Sequence, residues 1–127
     1  MHTTTRKPIH LKNMKQLSIF LENKQGTLIQ VLNLLKEANI QIVASTVADT
    51  AEYGIYRVIC DKTEQAYIIL KENGIAVNLT EVDCIELDDT PGAAANAIAK
   101  LVEEGVNIAY LYSFLLNGKG MLVYRKR

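Results

Sequence analysis

The sequence predicts an α+β fold in which one strand–helix–strand–strand unit is used twice. Three observations carry this. The segment starting at Glu22 (ENKQGTLIQVLNLLKEANIQI) returns at Asp88 (DDTPGAAANAIAKLVEEGVNI), an offset of 88 − 22 = 66 residues held without insertion. Gly26 falls on Gly92, Leu35 on Leu101, Glu37 on Glu103, Ile42 on Ile108 and Gly54 on Gly120. Within each copy, short alternating stretches flank one stretch of helical period, as a strand–helix–strand unit requires.

The elements of the first copy follow in order. Gln16–Leu21 alternates, with Leu17, Ile19 and Leu21 on one face, and reads as a strand. Leu28, Val31, Leu32, Leu35 and Ala38 then recur at helical spacing. Asn39 follows, a residue type that tolerates the left-handed conformation in which helices end. Two strands, Gln41–Ala48 and Gly54–Cys60, are joined by a turn around Asp49–Tyr53. Asp61-x-x-Glu64 has the spacing of a capping box and opens a second helix through Ala66, Ile69, Leu70 and Asn73, closed by Gly74. Ile75–Leu79 is a last strand, which makes the copy β-α-β-β-α-β, the ferredoxin-like arrangement.

The second copy repeats the pattern. Val82–Leu87 is its strand. Thr90 is placed to cap its helix and Pro91 to occupy the first helical position. Ala94, Ala97, Ile98 and Leu101 form the apolar stripe, and Gly105 stands where Asn39 stands in the first copy. Strands Asn107–Leu116 and Gly120–Arg125 are joined through Asn117-Gly118-Lys119. A second helix would begin near 61 + 66 = 127, the last residue, so this unit is expected to be truncated to βαββ. The expected division is an N-terminal extension at 1–14, a first unit at 15–80 and a second, incomplete unit at 81–127, with almost no linker. Val82–Leu87 then needs a neighbour from elsewhere, either another chain or the stretch Lys7–Leu11, because unpaired strand edges recruit partners. The absent helix is also expected to uncover apolar surface.

Composition narrows the function. The chain has 127 residues, 49% hydrophobic and 22% charged, with formal net charge zero, so it lacks the basic excess of a phosphate-gripping protein. No apolar run reaches the roughly 18 residues needed to span a membrane. The N-terminus has no apolar signal core, and a cytoplasmic location is expected. Cys60 and Cys84 lie far apart inside strands, without C-x-x-C spacing or nearby histidine, and read as buried apolar residues rather than metal ligands. His2 and His10 lie in the extension, a poor place for a general base. Phosphate-loop, nucleophile-elbow and dinucleotide-binding motifs are absent, so neither catalysis nor a cofactor is expected. Tyr110, Tyr112 and Phe114 line one face of a strand, but no basic residue is interleaved, which favours core or subunit interface over RNA stacking.

What remains is the loop between first strand and first helix in each copy: Glu22 to Gly26 and Asp88 to Gly92. A glycine at a helix opening lets a ligand approach the backbone, and first-turn N–H groups suit a carboxylate. Asn23 or Asp89, three residues earlier, can accept from an ammonium group. These parts suit an α-amino acid.

The stretch Asp89-Thr90-Pro91-Gly92, after an apolar strand and before an Ala/Leu-rich helix ending in Gly105-Val106-Asn107-Ile108, resembles the ACT domain. The first copy resembles it over Leu17–Leu79, although Asn23-Lys24-Gln25-Gly26 departs from the usual acidic-x-Pro-Gly. The whole chain is similar to tandem ACT proteins that stand alone. That resemblance implies an amino-acid-binding regulator of amino-acid metabolism, not an enzyme, with ligand held between units at the strand–helix loops. Carried over by position, the contacts are Asn23, Gln25, Gly26, Asp89, Pro91 and Gly92, with Ile42 and Ile108 from the neighbouring strands. The unpaired Val82–Leu87 edge and the surface left by the absent helix predict a homodimer or larger assembly. The alternative is an assembly module, or a small regulatory subunit gripping a metabolic enzyme without a ligand of its own.

Overall fold

The computed structural model describes residues 10–22, 24–50 and 52–127. Asn23 and His2 lie outside the described residues. Nine elements follow in order: β1 His10–Leu21, α1 Lys24–Glu37, β2 Ile42–Asp49, β3 Gly54–Cys60, α2 Thr63–Glu72, β4 Val77–Leu87, α3 Ala93–Glu103, β5 Ile108–Leu116 and β6 Lys119–Lys126. They divide into two compact units, one of residues 15–81 and one of residues 82–127 together with the start of β1 through Met14.

The first unit is a complete ferredoxin-like βαββαβ unit with strand order β2-β3-β1-β4. Alternation along β1 sends Leu17, Ile19 and Leu21 to the helix side. There they join Val31 and Leu35 of α1, Val58 and Cys60 of β3, and Ala66 and Leu70 of α2 in one buried cluster. α1 ends as its sequence predicts. Asn39 adopts φ +58°, its N–H donates to the Lys36 carbonyl at 3.1 Å, and the next N–H, of Ile40, reaches back to Leu35 at 2.9 Å. This is the Schellman pairing, and it seats Ile40 in the core. Asn39→Ala should lower stability by about 1 kcal/mol, since a plain Cβ is disfavoured at this φ, while Asn39→Gly should hold or raise it. Thermal unfolding of both variants checks this.

The second unit has strand order β5-β6-β4 with the start of β1 beside β4. It is the expected βαββ unit, and its fourth-strand place is taken by the chain's own N-terminal strand. Residues 7–9 of the expected donor stretch lie outside the described residues; the strand begins at His10. One buried cluster joins Ile85, Leu101 and Tyr124, with Ile98, Val106 and Ile108 packed against them, and Val82, Cys84, Met121, Leu122 and Val123 are buried as well.

Several local expectations are corrected. β1 runs from His10 rather than Gln16, so His10 belongs to a strand and not to a loose terminus. Ile75–Leu79 and Val82–Leu87 are not two strands. Nothing in Thr80-Glu81 breaks extended backbone, and β4 passes through both. Thr90 and Pro91 do not open α3. The Ala93 N–H donates to the Thr90 carbonyl at 3.2 Å, with Pro91 and then Gly92 (φ +86°, ψ 0°) between them, which is a type II turn. Asp61 does not cap α2, which carries no side-chain cap; its Oδ1 instead accepts from the Gln41 N–H at 3.0 Å.

The two copies also differ in which sheet face is apolar. At the offset of 66, Leu17, Val58 and Cys60 on the helix side become Asp83, Tyr124 and Lys126. Asp83 is 4% exposed and pairs with Lys126 Nζ at 3.3 Å. Burial, then the Asp83 charge and its hydrogen bond, push the Tyr124 hydroxyl up to about 12. The expected uncovered apolar surface is therefore not what stands at these positions: they have become polar. The opposite face shows the reverse exchange. Gln16, hydrogen-bonded to Ser18 Oγ at 3.1 Å, and Ser18, 2.7 Å from Thr80 Oγ1, become Val82 and Cys84. Cys84 is fully buried, and desolvation pushes its thiol up to about 11. A charge placed there would test the core rather than association.

Candidate functional site

Each unit has a cavity at the junction of its first strand and first helix. In the first unit it measures about 150 Å³ and is lined by Phe20, Glu22, Thr27 and Gln30, with Asn73, Gly74, Ile75 and Ala76 as the far wall. In the second it measures about 180 Å³ and is lined by Ile85, Glu86, Leu87, Asp88, Thr90, Ala93, Asn96, Ala97 and Lys100. Four pairs of lining residues coincide under the offset of 66: Phe20 with Glu86, Glu22 with Asp88, Thr27 with Ala93, and Gln30 with Asn96. The cavity is thus a property of the repeated unit.

Its walls differ between copies. Ala93, Asn96, Ala97 and Lys100 follow the i, i+3, i+4, i+7 spacing of one face of α3. The same face of α1 carries Thr27, Gln30, Val31 and Leu34, of which Val31 is fully buried. In the first unit the turn after α2 closes the cavity; in the second, among the described residues, no helix follows β6, and Ile85 and Leu87 line it instead.

The residues expected from the sequence are placed as follows. Gln25 and Gly26 are exposed in the first turn of α1, beside the first cavity's Thr27 but not among its lining. Gly26 is helical, whereas Gly92 is left-handed just before α3. Asp89, Pro91 and Gly92 are exposed in the turn that carries Thr90. Ile42 and Ile108 begin β2 and β5 and pack against the two cores. The lining residues Thr27, Gln30, Asn96 and Lys100 were not singled out in the sequence. One signal for two of them was available: Gln30 and Asn96 are primary amides at equivalent places of the repeat.

A sequence profile for the ACT domain pair matches residues 12–127. The chain belongs to that family. Its match to a solved structure, protein BT0572 from Bacteroides thetaiotaomicron, has 43% identity and a TM-score of 0.84, covering 92% of this chain and 81% of that one. The regulatory subunit of aspartate kinase from Thermus thermophilus, in ligand-free form, matches at 12% identity and a TM-score of 0.66, covering 92% and 85%. A structure of aspartokinase alpha and beta subunits matches at 19% and 0.64, covering 95% and 88%. At such identities the last two establish shared fold. No curated protein matches. This ACT domain pair has no group of three or more His, Cys, Asp or Glu side chains able to hold a metal among its described residues. No described helix is long and apolar enough to cross a membrane.

Proposed function

We propose that this ACT domain pair is an amino-acid-sensing regulatory protein that takes its ligand at the strand–helix junction. The observation that carries the reading is the repeated cavity, lined in both copies by a carboxylate (Glu22, Asp88) and a primary amide (Gln30, Asn96). A carboxylate accepts from an ammonium group, and an amide both donates and accepts. Asp89, Pro91, Gly92, Gln25 and Gly26, with Asn23 from outside the described residues, would form the rim, and the strands bearing Ile42 and Ile108 the support. Family membership and the likeness to an aspartate kinase regulatory subunit support the regulatory role. Calorimetric titration of the chain with each of the twenty amino acids should find at least one that binds at millimolar concentration or tighter. Silence throughout would remove the sensing reading.

The alternative is an assembly module, acting as a homodimer or as a regulatory subunit of a metabolic enzyme. It is favoured by β5, an edge strand without a charged residue whose Leu115 is 76% exposed. Calorimetry together with light scattering coupled to gel filtration distinguishes the two: under the assembly reading, dimers form and none of the twenty amino acids binds.

A further inference from the structure

The two cavities share a frame, a carboxylate and an amide, but their remaining described lining differs. Resting on the sensing reading above, we infer that only the second unit's cavity holds the amino acid, and that its ligand is an α-amino acid with a small apolar side chain. The α-carboxylate is set against Lys100 and the α-ammonium against Asp88.

Charge is the first ground. An α-amino acid presents one anion and one cation, so its site needs a fixed group of each sign. The second cavity has both. Glu86 is paired with Lys119 at 3.3 Å, while Asp88 and Lys100 have no ion-pair partner among the described residues. Among its described lining residues the first cavity has Glu22 but no cation. The position equivalent to Lys100 is Leu34, which packs against the core.

Lining is the second ground. Ile85, Leu87, Ala93 and Ala97 give the second cavity an apolar wall, and the alanines leave room beside α3. In the first unit the equivalents Ile19, Leu21 and Val31 are shut inside the core, and the far wall is the turn at Asn73 and Gly74 with Ile75 and Ala76. Asn73 Nδ2 is already committed to the Ile69 carbonyl at 2.8 Å.

Size is the third ground. Pockets for drug-sized ligands run about 300–1,000 Å³. At about 180 Å³ the second cavity suits a smaller molecule. An additional carboxylate or ammonium on the ligand side chain would meet the apolar wall without a partner, which is costly. Alanine, valine and leucine therefore fit, and aspartate and lysine do not.

The test is calorimetry on the full chain with L-valine, L-leucine and L-alanine against L-aspartate and L-lysine, with L-valinamide as a ligand lacking the carboxylate. One apolar amino acid should bind per chain, and L-valinamide should not. Lys100→Leu places in the second copy the residue the first copy already carries, at an exposed position, so the protein should stay folded by circular dichroism. It should weaken binding about 10- to 100-fold, the range for loss of a hydrogen bond to a charged group, and Asp88→Asn should weaken it similarly. Two molecules per chain, tighter binding of L-aspartate or L-lysine, undiminished L-valinamide binding, or unchanged affinity in folded Lys100→Leu would each overturn the inference. The sensing reading would survive all four. Binding of no amino acid at all would sink both.

Discussion

Leu17→Asp should destabilise the protein by about 3–5 kcal/mol, the usual cost of a buried charge without a partner. Leu17 has no exposed surface, and the cluster around it is apolar throughout: Ile19, Val58, Ala66 and Leu70 among others. With total stability of a domain near 5–15 kcal/mol, the loss takes a large share and should appear as a large drop in urea midpoint. The equivalent residue in the second copy is already an aspartate. Asp83 is tolerated because Lys126 and Tyr124 surround it. Removing Asp83 alone would orphan the buried Tyr124 hydroxyl. Asp83→Leu/Tyr124→Phe removes both partners and should stay within about 1 kcal/mol of wild type, because replacing a whole hydrogen-bonded pair by apolar groups is nearly neutral. A Leu17→Asp variant as stable as wild type would show that the helix-side clusters of the two copies are interchangeable.

Gly92→Val and Gly26→Val should part company, although the two glycines coincide in the repeat. At Gly92 an added Cβ meets nothing within 4 Å, so crowding costs nothing. The cost is backbone: φ is +86° at the third residue of a type II turn, and a β-branched side chain there should lose about 1–3 kcal/mol. Gly26 lies inside α1, where valine is no worse a helix former than glycine, and the change should be within about 0.5 kcal/mol. Thermal unfolding of the pair decides it, and equal losses would contradict the turn geometry. Because Thr90 in the same turn lines the second cavity, Gly92→Val should also weaken any ligand held there, while Gly26→Val should not touch it.

The repeat made the fold readable. A 66-residue offset without gaps places every strand and helix of one copy against the other, and the ends of α1 and α3 at Asn39 and Gly105 follow from it. Boundaries were less legible where no residue punctuates the chain. β1 begins at His10 because HLKNMK can be extended without being apolar, so alternation does not reveal it. β4 passes unbroken through Thr80-Glu81 for the same reason. At the candidate site the loop was recognisable, but the lining was not. Thr90-Pro91-Gly92 has both helix-start and turn chemistry, and only the backbone shows that the turn prevails. Lys100 lies seven residues after the first residue of α3, and its place in the same cavity as Asp88 depends on how α3 packs on β4.

The edge strands carry one more mark of the repeat. On β2, Ile42 is opposite Cys60 but Ala44 is opposite Ile59; on β5, Ile108 is opposite Lys126 but Tyr110 is opposite Arg125. Each strand therefore holds one surplus residue, Val43 or Ala109, at the same point of the repeat. A β-bulge of this kind reverses which face every later side chain takes. The surplus residues coincide under the offset of 66, so the bulge is a property of the repeated unit. Deleting Val43 or Ala109 would turn no side chain over: Ile42 would adjoin Ala44, or Ile108 Tyr110, in plain alternation opposite neighbouring partners, and the later residues would keep the faces they now take. The bulge is a stitch dropped from the ladder, and the fabric closes when the spare loop is cut.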